Sequence, residues 1–371
     1  MTDSIYNNIY GNGALTVQQE AIKIERSDLF DPELDHELSS AFLKEESVNP
    51  EFGLDWLRHL ASCTFTDEET AYLYTARGGS GEFLALPLRV NRKTRQAHSL
   101  SNFYTSLYAP LVLSTRPSVL LEALFEHLRT SEQISAIALS PLVADNAIFK
   151  DYQLALKQAN WWGVHSWHCF WNWTHTLSGG DYLNYLAARP SILRNTIARK
   201  TRKFLESDRG RIALITDSES ITEGIEQFQS VYQRSWKKAE PHTEFIPGLL
   251  KLAAEKKWLR LAVAYYDEQA IAAQLWLVSN GTASIFKLAY DEDFKQLSPG
   301  TILSAFLMEQ VIDVDGVTSV DYLSGNDGYK ESWMTNRRER RGIAAYNINT
   351  ARGAIHYAAR QLKQLYKRIV H

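Results

Sequence analysis

The chain has little of what marks a secreted, membrane-spanning or covalently braced protein. Its 371 residues hold only two cysteines, Cys63 and Cys169, far apart and in no metal-type spacing. That argues against a disulfide framework and for a reducing compartment. No uninterrupted apolar run approaches the ~18–20 residues that a bilayer-spanning helix needs. The opening Met1-Thr2-Asp3-Ser4-Ile5-Tyr6-Asn7-Asn8 is polar and lacks the basic-then-apolar pattern of a signal peptide. The expectation is a soluble, cytoplasmic protein. An excess of one charge is missing too: 40 Lys and Arg against 43 Asp and Glu leave a net −3. That does not describe a nucleic-acid-binding polycation. There is no Gly-x-Ser-x-Gly, no His-Glu-x-x-His and no Walker loop. His165, His168 and Cys169 make no metal set: in a strand, 165 and 169 share a face, 168 takes the other, and no carboxylate lies near. No metal is expected.

The composition is 45% hydrophobic and 22% charged, that of a folded globular protein. The length suits two domains or one large one. Five of the ten tryptophans fall within 161–173. In a strand Trp167, Trp171 and Trp173 share a face with Cys169, which reads as packing between domains rather than as a sugar-stacking platform. Charge is locally uneven. Residues 189–203 hold six basic residues and no acid, and 337–368 hold nine with only Glu339 as an acid. Each stretch is either a solvated face or a surface for an anion.

Residues 1–13 read as a loose polar leader, followed by a strand-like run at 15–24. Helical spacing covers 38–44 and 52–61. Strands at 71–77, 83–90 and up to Leu100 are separated by the turns Gly78-Gly79-Ser80-Gly81 and Asn91-Arg92-Lys93-Thr94. A helix at 118–128, a strand at 134–139, a helix at 146–158 and a strand at 165–173 complete the first half. Residues 178–206 form a connector with Leu193, Ile197 and Phe204 as its buried stripe. The second half repeats the order: strand 211–215, helices 221–236 and 245–255, strands 259–266, 271–278 and 283–290. A loop at 291–298 precedes a largely apolar helix from Ile302 to Val311, which belongs in a core. Asp313-Val314-Asp315 closes that helix. Strand 318–322, helix 327–334 and strand 343–348 follow. Ala351, Ile355, Ala358, Leu362, Leu365 and Ile369 make a final helical stripe. Two halves with one element order point to two domains of one fold, 1–175 and 176–371.

Several runs sit on that order: the basic helix Arg194–Lys203, Phe228 with Tyr232 to Trp236, Phe286-Lys287-Leu288-Ala289-Tyr290-Asp291, Ser298-Pro299-Gly300-Thr301-Ile302-Leu303, Asp321-Tyr322-Leu323-Ser324-Gly325 and Gly328-Tyr329-Lys330-Glu331-Ser332-Trp333. Order and runs together resemble the GNAT acyltransferases. In tandem they resemble the FemAB-like aminoacyl transferases, and within these the BioF2-like (CelD-like) acetyltransferase domains of cellulose and exopolysaccharide clusters. The resemblance implies an α/β (α+β), tandem GNAT-like acyl-CoA N-acyltransferase fold, with mixed central sheets and flanking helices. It implies transfer of an acyl group, acetyl foremost, from acyl-CoA to an amine or hydroxyl of a small-molecule, saccharide or peptide acceptor, in polysaccharide or cell-envelope metabolism. The alternatives are an aminoacyl-tRNA donor and a non-catalytic binding module; no other nucleic-acid partner is expected.

The resemblance also assigns residues. Ser298, Pro299, Gly300 and Thr301 form the loop for the CoA pyrophosphate. A helix start offers unpaired N–H groups and a positive dipole end to an anion. Gly300 allows close backbone approach and Pro299 suits the first turn. Gln296-Leu297-Ser298-Pro299-Gly300-Thr301 has one glycine where the family's usual Gln/Arg-x-x-Gly-x-Gly/Ala loop has a second small residue. The strand end from Leu288 to Tyr290 would turn N–H groups to the donor carbonyl. Tyr329 would protonate the leaving thiolate, Lys330 act as a second acid or charge clamp, and Asp321 act as base or orienting group. Lys287, Trp236 and Trp333 are expected on the substrate side, with Lys287 paired to Asp291 or Asp321.

Overall fold

A computed structural model describes residues 21–370. The expected leader and most of the expected strand at 15–24 lie outside the described residues. The first half is β1 (Lys23–Asp28), α1 (His36–Val48), α2 (Leu54–Thr64), β2 (Glu69–Arg77), β3 (Phe83–Asn91), β4 (Gln96–Ser99), β5 (Leu111–Leu113), α3 (Pro117–Thr130), β6 (Ala136–Val143), α4 (Ala147–Gln158) and β7 (Trp162–Thr176). The connector is α5 (Tyr182–Ala187) and α6 (Ser191–Leu205), and α6 buries Leu193, Ile197 and Phe204 as its spacing predicts. The second half is β8 (Gly210–Ile215), α7 (Ile221–Gln233), α8 (Phe245–Glu255), β9 (Leu259–Tyr266), β10 (Gln269–Ser279), β11 (Thr282–Tyr290), α9 (Pro299–Glu309), β12 (Ser319–Ser324), α10 (Tyr329–Trp333), β13 (Asn336–Tyr346) and α11 (Ala351–Val370).

The strands form one sheet in the order β1-β2-β3-β4-β6-β13-β7-β12-β11-β10-β9-β8, with β5 beside β3. Among the described strands only β4 with β6 and β11 with β12 run parallel. The two parallel pairs are joined through helices α3 and α9, as a parallel crossover requires. The antiparallel neighbours β2 and β3, β3 and β4, β9 and β10, and β10 and β11 are joined by short turns. Between β10 and β11, Asn280 and Gly281 have φ of 46° and 67°, the left-handed pair that a two-residue hairpin favours.

The middle of the sheet is exchanged. β13, from the end of the chain, pairs with β6 of the first half, from Tyr346↔Ala136 to Arg340↔Val143. β7, from the first half, pairs with β12 of the second, from Thr176↔Ser319 to Asn172↔Ser324. The two exchanged strands pair with each other along Asn336↔Thr174 to Tyr346↔Trp162. The tryptophan-rich run is therefore the seam of the molecule. β13 begins seven residues earlier than its apolar pattern suggests, because the basic run is strand too. The Arg337 guanidinium lies over the Trp171 and Trp173 rings at 4.3 and 5.7 Å, so a strand can carry these charges on aromatic faces.

Helices cover both faces. On one, α1 and α2 of the first half and α7 and α8 of the second share a single core, in which Trp56 meets Phe245 and Phe286 edge-on. On the other, α3 and α4 cover the first half and α6 and α9 the second. α9 buries Ile302, Leu303, Ala305, Leu307 and Met308, as a helix apolar on most sides must.

Candidate active site

β11 and β12 pair over only three residues each, Thr282–Ser284 with Ser319–Asp321. They then diverge. A bulge helps open them: the β10–β11 register passes from Trp276↔Ile285 to Leu275↔Lys287, leaving Phe286 as the extra residue. Bulges re-aim the residues beyond them. Ala283 and Ile285 face the α9 core before the bulge, and Leu288 and Tyr290 do so after it. From Ile285 onward β11 has no ladder partner on its β12 side. The gap is a cavity of about 190 Å³, lined by Lys237, Lys287, Leu288, Tyr322, Asp327, Tyr329 and Lys330 and closed by the loop Phe103–Ser106.

Lys330 is buried at the bottom of this gap. Its Nζ donates to the carbonyls of Ser324 (2.6 Å) and Tyr322 (3.3 Å), the end of β12, and lies 3.7 Å from Asp327. Burial pushes the ammonium pKa down, and Asp327 opposes the shift. Gly325, at φ 111°, leaves room for it: a Cβ there would sit 3.0 Å from Nζ. Tyr329 is 46% exposed and meets Tyr322 edge-on at 5.7 Å. Burial of its hydroxyl, then Asp327, raise the phenol pKa. Lys237 lines the other side; burial and then the neighbouring Lys287 bring it down to about 8, against the opposing pull of Glu240 and Asp327.

Lys287 does line the cavity, but its partner is neither Asp291 nor Asp321. It pairs with Glu240 at 2.6 Å, because β11 beyond the bulge turns it toward the loop after α7. Asp291 is held by Arg234 at 2.7 Å. Glu240 also accepts from the hydroxyls of Tyr232 (2.5 Å) and Tyr104 (2.7 Å). Burial pushes this carboxyl up, but Lys287 and the two tyrosines more than offset that and hold it below the usual range. Tyr104 stacks on Phe245 at 3.8 Å and sits with Phe103 against the Lys287 ammonium. The first half thus builds a wall of the second half's cleft. The loop is braced from behind by Glu51, whose Oε2 accepts from the backbone N–H groups of Ser106 and Leu107, both at 2.9 Å. Burial pushes the Glu51 carboxyl up to about 7.

Other expected residues sit elsewhere. Asp321 is not in the cavity wall. Its Oδ1 accepts from Asn172 (2.5 Å) and the Leu323 backbone (2.6 Å), and Arg340 donates to Asn172 at 2.9 Å. Burial raises its pKa against those bonds. This arrangement pins the end of β12, where Leu323 holds φ 52°. Trp333 is 4% exposed and its carbonyl takes Tyr185 and Arg189, so it packs the core rather than a substrate. The Ser298–Thr301 loop lies outside the cavity. Ser298 is left-handed (φ 59°, ψ 46°) and makes no side-chain cap bond, Pro299 begins α9, and Gly300 lies against Tyr290, on which Trp236 packs at 4.4 Å. Lys200 of α6 reaches the Gln296 carbonyl. Arg199, Arg202 and Lys203 line the neighbouring groove with Leu297.

Sequence reasoning missed Glu240, Tyr104, Lys237 and Asp327. Two of them lie in the polar stretch 237–243, and nothing in its letters ties it to Tyr104 across more than a hundred residues. Among the described residues no cluster of three or more His, Cys, Asp or Glu could hold a metal ion. No helix there is long and apolar enough to cross a membrane.

A family model described as "Acetyltransferase (GNAT) domain" matches residues 191–331. No curated protein matches the chain. Solved structures do. FemX is 11% identical with a TM-score of 0.57, over 87% of this chain and 98% of that one. A tandem GNAT protein from the clavulanic acid biosynthesis pathway is 12% identical with a TM-score of 0.52, over 88% and 98%. L-PGS from Bacillus licheniformis is 13% identical with a TM-score of 0.51, over 90% and 97%. At such identities the likeness speaks for the fold. The chain has a tandem GNAT fold like that of these structures, and its residues 191–331 resemble an acetyltransferase (GNAT) domain.

Proposed function

We propose that the chain transfers an acyl group, acetyl foremost, from acyl-CoA to an amine or hydroxyl acceptor in the cleft between β11 and β12. The observation that carries this is Lys330, a buried ammonium fixed by two carbonyls where the unpaired edge of β11 faces the cavity. A carbonyl oxygen that gains charge there meets a cation and backbone donors already in place, the arrangement that stabilises acyl-transfer transition states. The acceptor's lone pair attacks the thioester carbon and the carbon–sulfur bond breaks. The thiolate takes the proton of Tyr329, whose raised pKa keeps the phenol protonated until then. The acceptor's proton passes to Asp327, the one carboxylate among the described residues lining the cavity. The donor's pyrophosphate fits the first turn of α9, with Gly300 for close approach and the basic α6 alongside. Phe103 and Tyr104 suit a sugar ring in the wall, so a saccharide of envelope or polysaccharide metabolism is the acceptor class proposed, in keeping with the BioF2-like resemblance.

One observation favours a second reading. Arg194, Arg199, Arg202 and Lys203 are all exposed on α6, more positive charge than a pyrophosphate uses, and they would suit an aminoacyl-tRNA donor. Calorimetry and thiol release with acetyl-CoA test both. Tyr329→Phe is expected to lose about a hundredfold in turnover with CoA affinity kept, and Lys330→Met to lose turnover more than affinity. Absence of CoA binding by folded wild type sinks the first reading; salt-sensitive tRNA binding in its place would move the donor to the second.

A further inference from the structure

α11 carries its apolar face on the outside. The face that touches the protein is Gly353, buried, with His356 and Tyr357 half buried. Tyr357 meets Tyr346 at 5.7 Å and Trp162 at 6.5 Å, and His356 lies 2.9 Å from the Gln96 amide. Gly353 sets this approach, since a Cβ there would lie 2.0 Å from the Asn347 carbonyl oxygen. The opposite face is Ile355, Ala358, Leu362, Leu365 and Tyr366. Ile355 is 65% exposed, Leu362 68% and Tyr366 68%. The spacing is that of one helical stripe. Trp162, at the start of β7 beside Tyr357, is 52% exposed. Arg352 and Lys363 are exposed on the flank of the stripe, and residues 351–370 contain five Lys and Arg and no Asp or Glu.

We infer that α11 lies in the headgroup region of an anionic lipid bilayer, with Ile355, Leu362, Leu365 and Tyr366 in the acyl boundary and its basic flank on the headgroups. An amphipathic helix with low net hydrophobicity, a basic polar face and leucines with an aromatic opposite binds membranes in this way, and Trp and Tyr favour that depth. A second copy of the helix is the poorer occupant, because face-to-face pairing would bring two acid-free, five-fold cationic helices together. Nucleic acid would use the charge and leave the stripe in water. β7 runs from Trp162 to Asn172 beside the end of β12, about 30 Å at strand rise, so the helix can be changed without touching the cleft.

Co-sedimentation of the whole protein with vesicles tests this, using phosphatidylcholine alone and phosphatidylcholine with one-third phosphatidylglycerol. Wild type should bind the anionic vesicles, bind neutral ones far less, and let go at high salt. Leu362→Glu with Leu365→Glu should abolish binding, and Lys363→Gln should weaken partition about fivefold, both with unchanged circular dichroism and unchanged acyl transfer in solution. Equal binding to neutral vesicles, or full binding by the double variant, overturns the inference. So does a lipid-free dimer that the double variant breaks, or tRNA binding that Lys363→Gln weakens and the double variant does not.

Discussion

Replacing Glu240 should cost both stability and the shape of the cleft. The carboxylate is the meeting point of three segments: Tyr104 from the first half, Tyr232 from α7 and Lys287 from β11. The Lys287 and Glu240 side chains are 17% and 13% exposed. Solvent therefore cannot compensate fully when one is removed. Breaking a buried pair from one side costs about 3–5 kcal/mol, since the other charge is stranded. Residual exposure places Glu240→Ala near the lower end, about 3 kcal/mol. Glu240→Gln keeps an acceptor for the tyrosines and should cost about 1–2 kcal/mol. The sign of the pH dependence follows from the depressed pKa of Glu240. Its contribution is fully present above the ordinary glutamate value and is lost as pH falls through the lower folded value. The gap between wild type and Glu240→Gln should close in acid and stay constant near neutrality. Urea unfolding of wild type, Glu240→Gln, Lys287→Met and the double variant measures the coupling, expected near 2 kcal/mol. A coupling below about 0.5 kcal/mol would refute the reasoning, because it would mean that the pair is effectively in water.

Two further outcomes are expected. Glu51 holds the cleft loop with a carboxyl whose folded pKa, about 7, stands above its ordinary 4.5. The folded state then binds the extra proton between those values, so stability falls as pH rises through that window, by roughly 3 kcal/mol in all. Glu51→Gln should remove that slope in denaturation midpoints taken across the window, and an unchanged slope would contradict it. Gly342 of β13 lies under the Trp167 indole, where a Cβ would come within 2.1 Å of the ring. Gly342→Ala should lower stability by about 2 kcal/mol and Trp167→Leu should restore much of it; no loss in thermal unfolding would show that the ring moves aside freely.

The candidate site was legible where its lining residues sit beside a local pattern. Tyr329 and Lys330 follow the turn after a strand, and Lys287 and Leu288 end another, so the resemblance could place them and the cavity contains them. Trp333 was misplaced for a physical reason. Five residues of helix separate inner from outer faces by a single turn, and only the packing against Tyr185 and Arg189 shows which way it looks. Asp321 shares its strand with cleft residues but, by pleat, turns to Asn172. The Lys287 partner was unreadable because Phe286 bulges out of the ladder, and a bulge leaves no mark in a run of strand-forming residues.

The sequence by itself determined the order of strands and helices in each half save for the short β5, the burial of α9 and the stripe of α6, since periodicity and turn residues are local and each element answers to its own few neighbours. Only the tertiary structure decided how the halves join. β7 and β13 carry similar strand patterns whichever half they enter, and their exchange rests on backbone pairing across more than a hundred and forty residues. The same holds for the wall that Tyr104 gives to the second half's cleft, and for the stripe on α11. The spacing shows that α11 has an apolar face; the close approach at Gly353 sets that face outward.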